Sequence, residues 1–336
     1  MATLTEMVER VRGMDFERML GLRPEYPRVA VDLERSSLAL VRVKPRRRGR
    51  PQIAGFRVQP VTDAAVPATI FDQDTVEPAR LSELLGSLFE ASGVRPGKVS
   101  VVLPDNLAKL SLLTLPERPP SRRQLEEVIR FKVRRGVPFR ISDAIMSYQL
   151  LPGEAKGIGV LVALIHRPLV ERYEHALESI GARPGLIDLC TPNLLNLCRD
   201  RIAAASAEGD AALLNCAGSY FSLAIVRRGR LIFLRCKTYS MGNGQPGPVD
   251  AVLARELGYS LSYYEEKLGG EGIRTLFVRS LDRPFDELKG HLAGLDAAGM
   301  ELIDPVARVD PGEAGTVDAE VAQRLAPALG AVLRRS

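Results

Sequence analysis

Three features of this 336-residue sequence predict an α/β protein of two lobes, with an α+β subdomain inserted into the first. The first is a strand–turn–strand segment that occurs twice, at 28–43 and 212–235, about 180 residues apart. In each copy an apolar run ends in Asp or Asn, a short polar turn follows, and a second apolar run leaves the turn. The second feature is length: a chain of this size exceeds what one simple core accommodates and divides into lobes. The third is the order of elements between the copies, which reads β-β-α-β-β-α-β over 99–188.

Each element has a local reason. Leu81, Leu84, Leu85 and Leu88 recur at helical spacing within 77–93. An apolar run at 98–104 ends at Pro104, and a second strand at 106–116 is stopped by Pro116, Pro119 and Pro120. Ser121 is a good N-cap for a helix over 122–135, whose apolar face is Leu125, Val128, Ile129 and Val133. Strands at 144–151 and 157–165 follow. Pro168 opens a helix that Gly181 stops, and another helix covers 191–205. Met7, Val8, Val11, Met14, Phe16 and Met19 make a loosely helical leader, broken by Gly21 and Pro24. The expected division is a leader at 1–27, the first half of lobe 1 at 28–98, the insert at 99–188, a connecting helix at 189–210, lobe 2 at 211–325, and a closing helix at 326–336 that returns to lobe 1.

Composition narrows the chemistry. An apolar fraction of 46% and a mean hydropathy of −0.01 fit a water-soluble globular chain. No apolar run reaches the roughly 20 residues that span a bilayer, and the N-terminus has no basic start followed by an apolar stretch, so a cytoplasmic location is expected. Cys190, Cys198, Cys216 and Cys236 lack CxxC spacing and read as buried thiols. His166, His175 and His291 form no paired motif, so no metal centre is expected. The adjacent pairs Glu126/Glu127 and Glu265/Glu266 point about 100° apart on a helix and cannot converge on one substrate. Ala217-Gly-Ser219 is not a G-x-S-x-G elbow, so no catalytic residue is nominated. The run from Arg42 to Arg50 reads as a solvated hairpin tip, with an anionic lipid surface or acidic partner as the second reading. Basic residues without interleaved aromatics exclude a nucleic-acid platform.

The two turns are the candidate site. Facing hairpins of this kind hold phosphates by backbone N–H groups and small residues, with an acid at each first-strand end holding the water around Mg²⁺. The candidate residues are Asp32, Ser36 and Ser37 in the first copy and Asn215, Gly218 and Ser219 in the second. A phosphate-gripping turn wants Asp-x-Gly, because glycine lets the backbone approach closely. Here Glu34 stands in the glycine's place and brings a like charge beside any phosphate, costing several kcal/mol. Asn215 keeps hydrogen bonding but lacks the charge of an acid. Two ordinary β-hairpins are the competing reading of these segments alone.

The order of elements and several phrases resemble the PilM group of actin-like proteins of type IV pilus assembly and its cell-division relative FtsA. The resemblance runs over about 28–335. It rests on Val101-Val-Leu-Pro104, Leu113-Thr-Leu-Pro116, the helix 125–135, Val137-Pro-Phe139 and Tyr148-Gln-Leu-Leu151, in that order. Ala254–Tyr264 resembles the group's E-x-x-R-S-L-x-Y-Y helix, and Arg324–Arg334 its closing helix. This implies an actin-like (ribonuclease H-like) fold that binds ATP and Mg²⁺ between the lobes. It also implies an adenosine turn of paired glycines after Thr275–Val278, where this chain has Arg279-Ser280. All three nucleotide turns depart from the pattern, so a vestigial site with no cofactor is expected; an active Mg·ATP-binding ATPase is the alternative. A sugar-kinase-like phosphotransferase shares the core but would need a substrate carboxylate for which no candidate stands out.

What the resemblance implies for function is a platform at the inner face of the inner membrane, serving a type IV pilus-like or type II secretion-like machine. Its partner would be the cytoplasmic tail of a PilN-like bitopic membrane protein, with a second copy of the chain or a pilus ATPase as further partners. The tail would lie between the insert and the first lobe, against Leu110, Leu112, Val137 and Phe139, with Arg134 and Arg135 at the margin.

Overall fold

The computed structural model describes residues 26–46, 48–61, 66–71, 77–151, 157–239, 249–292, 297–312 and 315–334. The expected leader helix at 1–27 lies outside them except for Tyr26 and Pro27. The architecture is α/β and two-lobed, as expected.

Each lobe is built on a five-stranded sheet. In the first, β1 (Val29–Leu33), β2 (Ser37–Lys44), β3 (Gln52–Pro60), β4 (Lys98–Leu103) and β8 (Arg183–Leu189) run in the order β3-β2-β1-β4-β8. In the second, β9 (Asp210–Cys216), β10 (Tyr220–Arg227), β11 (Arg230–Thr238), β12 (Ile273–Ser280) and β13 (Ala297–Leu302) run β11-β10-β9-β12-β13. The two orders are the same topology written twice: an antiparallel meander of three strands, then two parallel strands. Asp32 pairs with Ala39 and Asn215 with Ser222, so the two first-strand ends occupy matching registers.

The helices follow from caps and periodicity. Helix α1 (Pro78–Ser92) begins at a proline and ends at Gly93, whose φ of 64° closes it in the left-handed region. It buries Leu81, Leu84, Leu85, Leu88 and Phe89 on the first sheet. Between β4 and β8 lies a three-stranded sheet of β5 (Ala108–Leu115), β6 (Ala144–Leu151) and β7 (Ile158–His166), in the order β5-β7-β6. Helix α2 (Arg122–Val133) covers one face of it: the Ser121 hydroxyl accepts from the Gln124 N–H at 3.2 Å, and Leu125, Ile129 and Val133 face inward. Helix α3 (Arg167–Ser179) returns to the first lobe's core through Leu169, Tyr173, Ala176 and Leu177.

The inserted sheet is therefore narrower than the 99–188 expected from sequence. Strand β4 pairs in parallel with β1 on one side and β8 on the other, so both belong to the first lobe's sheet. A short buried apolar run reads alike in either sheet, which is why the order of elements alone misplaced the boundary. The connecting segment is two helices, α4 (Cys190–Leu197) and α5 (Arg199–Ala207), which break at Cys198. In the second lobe, α6 (Val249–Leu268) and α7 (Phe285–His291) flank β12. The closing helix, α8 (Ala319–Val332), starts seven residues before the expected 326, at an Asp318 cap that accepts from the Val321 N–H.

Helices α4 and α8 cross at the lobe junction. A Cβ on Gly330 would lie 2.1 Å from the Asn193 carbonyl oxygen, so only glycine permits this approach. The hairpin tip between β2 and β3 is held to the body by Arg46–Asp310 and by an Asp310 N–H to the Pro51 carbonyl. Among the described residues no helix is long and apolar enough to cross a membrane.

Candidate functional site: a cleft closed by Arg279

The matching ends of β1 and β9 meet at the cleft, and there the duplicated turns face each other. The space between them holds the guanidinium of Arg279, which is fully buried at the end of β12. Its Nη1 donates to Glu34 Oε1 at 3.0 Å and to Asn215 Oδ1 at 3.1 Å, with Cys190 Sγ at 3.3 Å. Its Nε donates to the Gln323 carbonyl at 2.9 Å. That acceptor is available for a reason written in the sequence. Pro327 sits inside α8 and has no N–H, so the carbonyl four residues earlier has no intrahelical partner. Nη2 lies 3.6 Å from Asp32 Oδ2 and makes no hydrogen bond.

A second ring of polar groups supports the first. Tyr220 donates its hydroxyl to Glu34 at 3.1 Å, and Asn215 Nδ2 donates to Tyr220 at 3.3 Å. Asp105, buried after β4, accepts from the Thr191 N–H at 2.9 Å, from the Thr191 hydroxyl, and from the Ser222 hydroxyl at 2.7 Å. Two buried carboxyl groups, Glu34 and Asp32, thus face one guanidinium, and a third, Asp105, is buried nearby on Thr191 and Ser222. Burial pushes Asp32 well up, with Glu34 adding to it. Burial also raises Glu34, although Arg279 and Tyr220 oppose that, and it raises Asp105 against its hydrogen bonds. For Arg279, burial opposes the charge, but its acidic surroundings, with Glu34 at hydrogen-bond distance, more than offset it. Burial holds the Cys190 thiol well up and hence neutral. The hydrogen-bonded ion pair is Glu34 with Arg279, while Asp32, 3.6 Å from the guanidinium and without a hydrogen bond to it, is pushed well up by burial.

Closer to solvent, a second set of contacts ties the lobes. Ser36 donates to Asp282 Oδ2 at 2.7 Å, while Arg324 of α8 donates to Asp282 Oδ1 at 2.8 Å and to the Ser37 hydroxyl at 2.9 Å. Asp282 has a φ of 63°, and a Cβ on Gly218 would lie 2.6 Å from its Oδ2. A side chain at 218 would thus displace the Asp282 carboxylate from its place beside Ser36 and Arg324. Ser219 accepts through its carbonyl from the Tyr239 N–H at 3.1 Å.

The six residues expected at the vestigial nucleotide site therefore do gather at the cleft, with different partners. Asp32 and Asn215 face Arg279, Ser36 and Ser37 face Asp282 and Arg324, and Gly218 and Ser219 shape the second turn. The Arg279 guanidinium lies between the two turns and is bonded to residues of both, so these turns do not form an open cradle lined by backbone N–H groups. Glu34 and Arg279 each read from sequence as a lost glycine; together they are a buried acid and base. The available signal was that the two substitutions carry opposite charge, in turns that the resemblance assigns to one nucleotide. Asp105, Thr191 and Tyr220 gave no such signal.

The six partner residues do not line one groove. Leu110 packs on the first lobe's core, and Leu112 shares its face of the inserted sheet. Val137 and Phe139 belong instead to the insert's own core beside α2, where Phe139 stacks on His166 at 4.7 Å. Arg134 and Arg135 are exposed, and Arg134 lies over the Phe131 ring at 4.4 Å. Alternation along β5 explains the split: apolar residues of one strand serve both faces.

No protein-family model and no curated protein sequence matches the chain. Among solved structures, a chain of a PilM–PilN type IV pilus biogenesis complex superposes with a TM-score of 0.74 at 18% identity, over 92% of this chain and 98% of that one. The chain shares the fold of that protein. A Bacteroides thetaiotaomicron protein of actin-like ATPase fold and unknown function gives a TM-score of 0.49 at 11% identity, covering 87% of this chain and 94% of that one. The cytoplasmic domain of EpsL, an inner membrane component of the Vibrio cholerae type II secretion system, gives 0.47 at 11% identity, covering 90% and 94%.

Proposed function

We propose that this chain is a non-hydrolysing platform at the inner face of the inner membrane, in a type IV pilus-like or type II secretion-like machine. It binds the short cytoplasmic tail of a bitopic membrane partner and uses the actin-like fold as a rigid body. The observation that carries this reading is Arg279. A buried guanidinium paired with Glu34 in the phosphate position supports a cleft specialised to hold the lobes together. The fold likeness to a chain of a PilM–PilN complex supports the kind of partner.

The tail would lie on the face of the inserted sheet that carries Leu110 and Leu112, opposite α2. Leu112 is half-buried there, and Leu161 pairs beside it. An extended tail would set alternate apolar side chains on this surface. The test is a titration of the purified chain with a labelled peptide copying the cytoplasmic tail of the bitopic protein encoded beside it, followed by fluorescence anisotropy. Saturable binding that Leu112→Glu weakens at least tenfold, about 1.4 kcal/mol, supports the platform. Arg135→Glu, on the other side of the insert, leaves this affinity unchanged. Absence of binding by the wild-type chain contradicts the proposal.

A further inference from the structure

The inserted sheet has one covered edge and one open edge. Strand β5 lies beside β11 of the second lobe. Strand β6 has β7 on one side only, and among the described residues no backbone hydrogen bond leaves its outer side. Open edges are normally blunted by a charge, a proline or a bulge, because unpaired N–H and C=O groups template another strand. The eight residues of β6, Ala-Ile-Met-Ser-Tyr-Gln-Leu-Leu, carry no charge and no proline, and the register with β7 runs without a bulge from Ala144 to Leu151.

Beside this edge, between β6 and α2, runs a groove of about 600 Å³. Leu125, Met146 and Tyr148 line its apolar part, and Arg118, Arg122 and Arg130 its basic part. Arg122 is exposed and bonds Glu126 at 2.9 Å; Arg130 donates to the Ile141 carbonyl at 3.2 Å. Over 117–140 the chain has eight Arg or Lys against three Glu, an excess of five that equals the formal charge of +5 of the whole sequence. Of these basic residues, Arg118, Arg122 and Arg130 line the groove, with Glu126 as its one acid among the described residues.

We infer that the β6 edge and its groove form a docking site for an extended acidic segment of a partner protein, which adds as a fourth strand. Backbone pairing with β6 supplies the geometry, apolar side chains at alternate positions enter the groove, and the carboxylates between them meet Arg118 and Arg122. A second copy of this chain fits less well, since two such edges would bring like-charged segments together. A flat lipid surface cannot pair with a strand edge. The site lies wholly within the insert and is independent of the cleft and of the tail-binding face.

The probe is a fluorescein-labelled (Glu-Val)₄ peptide, titrated into the full chain and read by anisotropy. Saturable binding is expected, lost for (Lys-Val)₄ and for a (Glu-Val)₄ peptide N-methylated at every residue. Arg118→Glu/Arg122→Glu should weaken it at least tenfold with the melting temperature unchanged, and Arg118→Glu alone should weaken it by a smaller factor. Failure of (Glu-Val)₄ to saturate overturns the proposal. Equal binding of the N-methylated peptide overturns the strand pairing. Concentration-dependent dimerisation in sedimentation, or co-sedimentation with phosphatidylglycerol vesicles, lost in the double variant while the peptide stays unbound, reassigns the surface and overturns it as well.

Discussion

At the scale of the residue, the central fact is that Glu34 and Arg279, 245 positions apart, neutralise each other in a buried site. Removing one partner of such a pair leaves an uncompensated charge. Arg279→Met should cost about 3–5 kcal/mol in urea unfolding at pH 7, and Glu34→Gln combined with it should recover much of that loss. A double-mutant cycle with no coupling would show that the pair contributes nothing as a pair. Asp32 gives a pH test. Burial raises its carboxyl well above the ordinary aspartate range in the folded chain, whereas an unfolded aspartate ionises near pH 4. The folded state therefore binds more protons over this window, and stability falls as pH rises from about 4 through the folded pKa. Asp32→Asn should flatten that fall, seen as a smaller drop in urea midpoint between pH 4.5 and pH 8. An unchanged slope would mean that Asp32 is ionised in the fold.

At the scale of the element, the crossing of α4 and α8 and the interior of α6 make opposite predictions for the same substitution. Gly330→Ala forces a methyl group against the Asn193 backbone and should destabilise by about 1–3 kcal/mol. Gly258→Ala, in α6 with nothing within 4 Å of the added Cβ, should stabilise by up to about 1 kcal/mol. Thermal unfolding of both variants checks the pair, and equal shifts would contradict the close crossing. Elements were legible in the sequence where local rules decide them. Ser121 capping α2 and the inward face of Leu125, Ile129 and Val133 sit where their signals stand, while Val128, read as part of that face, is exposed. Boundaries that depend on which sheet a buried strand joins were not legible, as β4 and β8 show. The helix break at Cys198 likewise had no local signal.

At the scale of the whole molecule, the duplication was legible because both hairpins keep their pattern, and the two sheets repeat one strand order. The departures from the glycines that the resemblance implies were legible too, as a glutamate and an arginine. Their pairing was not, because a contact between residues 34 and 279 is set by the closure of two lobes and not by spacing along the chain. The lobes are joined by that ion pair, by Asp105 with Ser222, and by Ser36 and Arg324 around Asp282. A nucleotide entering the cleft would have to break the first of these before making any contact of its own. The direct measurement is isothermal titration of the full chain with ATP and excess Mg²⁺ at pH 7.5. The account predicts no saturable heat below about 1 mM nucleotide, a binding free energy weaker than about 4 kcal/mol; a micromolar dissociation constant would contradict it.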